Sequence, residues 1–109
     1  MNIGQASKAS GVSTKMIRYY DEIGLVRPAS RTESNYREFD EREVNDLRFI
    51  RRARSLGFSM PEITQLLSLW RDRERPSREV KAIAEKHVNE LDARIAEMQT
   101  MADTLRHLS

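Results

Sequence analysis

No cysteine occurs among the 109 residues, which excludes disulfides, a thiolate metal site and a cysteine nucleophile within them and is compatible with a reducing compartment. No run approaches the ~18 to 20 consecutive apolar residues that span a bilayer. The opening MNIGQASKASG lacks the charged-then-apolar build of a secretory signal. The expected location is the cytoplasm, with no membrane partner. There is no Gly-rich phosphate loop and no pair of acids with a histidine at site spacing, so no enzyme is expected. His87 and His107 lie about 30 Å apart along one helix and cannot share an ion within a chain. Met60, Met98 and Met101 fit core filling better than soft metal ligation.

What is present suits one compact domain with one extended element. Hydrophobic residues make up 39% and charged residues 33%, too apolar for disorder and too charged for an all-round buried fold. Net charge is +2, but it is segregated: residues 1–58 hold 11 Lys+Arg against 8 Asp+Glu, while residues 76–109 hold 5 against 6. Excess positive charge in the first half suits a polyanionic partner, because Lys and Arg release counterions condensed on DNA. The excess is small, so the arrangement of residues must carry the argument.

Ile3 to Ala9 predicts a short helix, and Gly11 a sharp turn. Ser13 is a good N-cap for a second helix through Glu22, with Met16, Ile17 and Tyr20 at helical spacing as its buried face. Thr14, Lys15, Arg18 and Tyr19 then fall on the exposed face, near the end that enters a major groove first. This is helix-turn-helix spacing. Gly24 ends the helix, and Pro28 stops any continuation. Arg27 to Phe39 predicts two short strands closed near Arg31 to Asn35, with Asn35 at a positive-φ position. Such a wing would present Arg31, Tyr36 and Arg37 to DNA phosphates beside the groove.

Asp40 with Glu43 predicts a capping box opening a third helix to about Leu56, cored by Val44, Leu47, Phe49 or Ile50, and Ala53. Its outer face carries Arg48, Arg51, Arg52 and Arg54, which either reach the DNA backbone or form a solvated face. Ser59 with Glu62 predicts a second box, and Ile63, Leu66, Leu67 and Trp70 form an apolar stripe. Tyr20, Phe39, Phe49, Phe58 and Trp70 are expected in the core. After a polar connection over Arg71 to Arg75, Pro76-Ser77 restarts the chain into a helix to about Leu108. Val88, Ile95 and Ala102 repeat at one heptad position, and Ala84, Leu91, Met98 and Leu105 at the other. Nothing earlier in the chain is free to cover that seam, so the expected partner is the same helix of a second copy. An antiparallel pairing sets Glu85 near Arg106 and Asp92 near Gln99; a parallel one, near His87 and Asp92, is also tolerated. The expected fold class is mainly α: a winged helix-turn-helix, a helical pair and a long antiparallel dimerisation helix. The expected domains are residues 1–75 for DNA binding and 76–109 for dimerisation. A two-fold dimer predicts an inverted-repeat operator with half-sites about 34 Å apart, or a multiple of that. A coiled-coil adaptor or antirepressor would carry the same long helix.

The strings SGVSTKMIRYYDEIGLVRPASR and NYREFDEREVNDLRFIRRARSLGFSMPEI, with the heptad helix after them, resemble the MerR family from Met1 almost to the last residue. One departure is Asn35, where the family usually has Gly. The resemblance implies a dimeric transcription regulator on double-stranded promoter DNA with RNA polymerase, changing DNA twist when an effector binds, with deformation costs of a few kcal/mol offset by contacts. It implies that Lys15, Arg18 and Tyr19 read or clamp the groove and that Arg31, Tyr36 and Arg37 clamp the backbone. LLSLWRDRERPSREVKAIAEKHVNEL looks most like the copper-efflux regulators, which hold copper(I) or silver(I) with two cysteines in a loop after the dimer helix. Ser77 stands where copper-type sensors tend to have Ser and divalent-metal sensors a Cys ligand. With no thiolate here, such an ion requires a further C-terminal segment. A truncated chain or an additional tail is therefore expected; a metal-blind member, or one answering a non-metal signal, is the alternative.

Overall fold

The computed structural model describes residues 1–74 and 77–109. The expected boundary after residue 75 and the restart at Pro76 lie outside the described residues. The elements run α1 (Ile3–Ser10), α2 (Thr14–Glu22), β1 (Ser30–Arg31), β2 (Arg37–Glu38), α3 (Glu41–Ser55), α4 (Met60–Arg71) and α5 (Arg78–Arg106). They divide into two compact units, Met1–Ser68 and Leu69–Ser109.

In the first unit local chemistry sets the helix ends. Asn2 and Gln5 form a reciprocal capping box, each backbone N–H donating to the other's side-chain oxygen at 2.8 Å. This box opens α1, and Gly11 closes it at φ 77, donating to the Ser7 carbonyl. Val12 and Ser13 complete the turn, and the Ser13 hydroxyl accepts from the Met16 N–H to start α2. Gly24, at φ 75, turns the chain out of α2. Buried side chains then come from all four helices and from both flanks of the hairpin: Ala6 of α1, Ile17 and Tyr20 of α2, Val26 and Phe39 beside the strands, Leu47 and Ile50 of α3, and Ile63 and Leu67 of α4. Met16 and Phe49 are half-buried at its edge.

β1 and β2 pair antiparallel with Ser30 opposite Glu38 and Arg31 opposite Arg37. Thr32 N–H donates to the Tyr36 carbonyl at 2.8 Å, and Asn35 takes φ 65 at the loop. The expected wing is therefore present, with Asn35 in the left-handed conformation that it tolerates without a glycine.

The box expected from Asp40 and Glu43 forms only in part. The Asp40 carboxylate accepts from the Arg42 N–H at 2.9 Å, but Glu43 turns inward and is buried beside the Asp40 carboxyl. The Ser59–Glu62 box closes in both directions, at 2.9 and 3.3 Å. Trp70 departs from the expectation of a core residue: it is 38% exposed, because it lies at the end of the α4 stripe, where Arg73 covers its ring at 4.1 Å.

In the second unit the Ser77 hydroxyl accepts from the Val80 N–H at 3.1 Å and starts the 29-residue α5. No residue of α5 is buried. Among the described residues no helix is long and apolar enough to cross a membrane.

Candidate nucleic-acid interface

Burial of Ile17 and Tyr20 fixes the rotation of α2, so Lys15 and Arg18 face outward. Tyr19 is exposed and Thr14 half-buried. The Tyr19 ring rests on Tyr20, with centroids 5.9 Å apart, which limits its freedom on the outer face. The Tyr20 hydroxyl accepts from Arg54 Nη1 at 3.1 Å. Arg54 of α3 is thereby tied to α2, a pairing across 34 residues that the sequence does not signal.

The wing arginines have an unexpected partner. Asp21 Oδ2 accepts from Arg37 Nε at 2.8 Å and from Arg31 Nη2 at 3.1 Å. Arg31 Nη1 also donates to the Asn35 carbonyl at 3.2 Å, across the hairpin loop. Asp21 is nearly covered, with 10% of its side chain exposed, so it bolts the wing to the last turn of α2. Each guanidinium has five N–H donors in a planar fork, so donors remain for phosphate after the bolt is made. Tyr36, at the loop, is 72% exposed. The missed residue is thus Asp21: an acid amid the cations of α2 and the hairpin was the available signal.

At the root of α3 burial is the first cause pushing the Glu43 carboxyl up to about 7, and its hydrogen bond with Asp40 is the second. The same hydrogen bond holds Asp40 below the usual carboxylate range. Of the pair Glu43 is therefore the one that takes up a proton first as pH falls, and among the described residues its Oε2 has no hydrogen-bond partner. A raised folded-state pKa contributes stability that is fully present below pH 4.5 and is lost as pH rises to about 7. Asp40 acts oppositely, losing its contribution as pH falls below its ordinary 3.8. Glu43→Gln keeps a donor to Asp40 at every pH. It is expected to match the wild type near pH 5 and to exceed it at pH 8 by about 1 kcal/mol, a few degrees in Tm. Parallel thermal melts across that range check this; an equal gap at both ends would show that the Glu43 proton does not matter.

Along α5 Val88, Ile95, Met98 and Leu105 are 52–65% exposed, while Ala84, Leu91 and Ala102 are half-buried. The expected seam is an apolar row on a solvated helix. Two of the orientation markers are engaged within their own helix, since Arg106 and Gln99 both donate to Asp103. Among the described residues no cluster of three or more His, Cys, Asp or Glu could hold a metal. His87 Nδ1 lies 3.7 Å from Glu90, and Ser77 serves as the α5 cap.

Residues 1–70 match the family described as MerR HTH family regulatory protein, and residues 44–108 the one described as MerR, DNA binding. Over all 109 residues the chain is 60% identical to heavy metal-dependent transcription regulator 2 of Rhizobium meliloti (strain 1021), covering 74% of that protein. It is 33% identical to PbrR691 from Ralstonia metallidurans CH34, crystallised with lead(II), at a TM-score of 0.63 over 99% of this chain and 84% of that one. EcmrR, seen by cryo-electron microscopy with DNA in EcmrR-RPo, is 29% identical at a TM-score of 0.57, over 98% of this chain and 37% of that one. The family matches span the helix-turn-helix, the wing and the long helix, and the 60% identity runs the length of the chain: this chain belongs to the MerR family of transcription regulators.

Proposed function

We propose that this chain binds double-stranded DNA as a homodimer at an inverted-repeat promoter element, acts there with RNA polymerase, and controls metal resistance or efflux genes in the cytoplasm. Residues 1–75 form the DNA-binding part and residues 76–109 the dimerising part, with α5 antiparallel to its counterpart. The observation that carries this reading is the uncovered face of α2: Lys15, Arg18 and Tyr19 stand exposed on it, with a wing bolted alongside through Asp21. Thr14, Arg31, Tyr36, Arg37 and Arg54 complete the contact surface. Arg18→Ala removes an outward guanidinium without touching the core, so specific binding is expected to fall by 10-fold to 100-fold for each lost base contact while the dimer persists. A DNA titration beside sedimentation checks both; an unchanged affinity for an operator duplex would remove α2 as the reading helix.

The heavy-metal name of the 60%-identical relative supports a metal signal. The copper(I) or silver(I) assignment rests on the resemblance of the α4–α5 region, Ser77 included. Soft thiolate ligands for such an ion must come from outside these 109 residues. Anaerobic titration of this chain and of the gene product with copper(I), silver(I) and lead(II), while following promoter binding, decides the metal. Metal binding by the gene product but not by these 109 residues makes them the DNA-binding and dimerising core of a sensor, and binding by neither removes the copper assignment.

A further inference from the structure

Outside α2 and the wing, the α3 arginines line a cleft against the end of α1. Arg48, Arg51 and Arg52 form one side, Ser10 and Gly11 the other, and Ser55 closes it; the lining contains no carboxylate. Arg48 is anchored, its Nε donating to the Ala9 carbonyl at 3.1 Å and its Nη1 to Asn45. Arg51 lies flat across the turn: a Cβ at Gly11 would come within 3.0 Å of its Nε. The absent side chain lets Arg51 border a second depression too, shared with Ser13 at the head of α2 and with Arg54. Among the described residues neither Arg51 nor Arg52 forms an ion pair. The contrast with the wing is informative. There two guanidiniums share one carboxylate, Asp21, whereas here the neighbouring Arg51 and Arg52 have no acid partner among the described residues and repel one another.

We propose that this cleft is a second phosphate seat, in which Arg51 and Arg52 neutralise backbone phosphates of the DNA strand flanking the groove that α2 enters. The inference rests on the DNA-binding reading and adds which residues supply sequence-independent affinity. One observation favours DNA over an acidic protein segment: the basic strip is continuous with the reading helix through Arg51 and Ser13, so a strand beside that helix meets guanidinium forks that can pair with its phosphates. Arg48 orients the strip by tying it to α1.

The test uses the full chain, a duplex of random sequence, and the duplex enriched from it by repeated selection. Arg51→Gln and Arg52→Gln are each expected to make the slope of log K against log salt shallower by about 0.9, which is about an eightfold loss at 0.1 M salt relative to 1 M. Both duplexes should lose alike, so the ratio between them stays the same. Arg51→Lys should retain the slope. Both side chains are exposed, so melting temperature and dimer mass should not move. Wild-type slopes in both Gln variants would overturn the proposal. So would intact DNA binding with reduced transcription by added RNA polymerase, which would give the cleft to a protein partner. Failure of selection to enrich any duplex on the wild-type chain would instead remove the DNA-binding reading itself, and this seat with it.

Discussion

Asp21→Ala is expected to weaken binding to the selected operator duplex by thirtyfold to a hundredfold while changing binding to unrelated DNA by less than about threefold. The side chain accepts two charge-assisted hydrogen bonds on one oxygen, from Arg37 at 2.8 Å and from Arg31 at 3.1 Å. Such bonds contribute about 1.5–3 kcal/mol each. Arg31 is 38% exposed, so solvent screening discounts its share, leaving about 2–3 kcal/mol that holds the wing in place. Without the bolt the two arginines keep their charge and still attract phosphates, and the loss of one carboxylate adds to that attraction. Long-range affinity thus survives, while the fixed offset between wing and groove, which sets register on an operator, does not. Amide exchange at Thr32 and Tyr36, which close the hairpin, should quicken in the same variant. Wild-type affinity together with wild-type protection would show that Asp21 plays no part in positioning the wing. Asp21→Asn, which keeps a neutral acceptor, is expected to fall between the two.

The parts of this fold legible in sequence are those set by neighbours a few residues apart. Ser13 announces α2, Ser59 with Glu62 announces α4, and the 3-4 spacing of Met16, Ile17 and Tyr20 fixes which side of α2 is outside, because capping and helical periodicity are local physics. Asn35 at φ 65 belongs to the same class, a turn residue chosen for backbone tolerance. What escaped was non-local. Asp21 meets its arginines 10 and 16 residues away, and that meeting depends on a hairpin register that two-residue strands hardly specify. Arg54 of α3 reaches the Tyr20 hydroxyl across 34 residues, a meeting made only in the finished fold. Glu43 shows a local pattern overruled by packing. Its spacing from Asp40 fits a capping box, yet the side chain is buried, where desolvation pushes its carboxyl up, instead of reaching back to the cap. Trp70 shows the reverse, an apolar stripe outrunning the core that justifies it.

Ile95→Glu is expected to convert the dimer to a monomer at micromolar concentration and to lower operator affinity by about a thousandfold, since two half-sites bound through one dimer gain 10²–10⁴ over either alone. The residue is 62% exposed on a helix with nothing buried. Covering such a side chain yields about 1.5–3 kcal/mol, and a carboxylate there faces another across the seam. In the antiparallel register that places Glu85 beside Arg106 of the partner subunit, the two-fold axis passes between positions 95 and 96, so each Ile95 adjoins its counterpart. A dimer of unchanged mass and affinity would show that this row is not the interface. Because the chain has no cysteine, single introduced thiols report orientation cleanly. Ile95→Cys should cross-link on oxidation. Leu105→Cys should not, since in the antiparallel pair its two copies lie about 28 Å apart at 1.5 Å per residue, far beyond the ~4–7 Å between the Cα atoms of a disulfide. Efficient cross-linking through Leu105→Cys would make the helices parallel, and the symmetry of the half-sites would then have to come from the winged units instead of the coil.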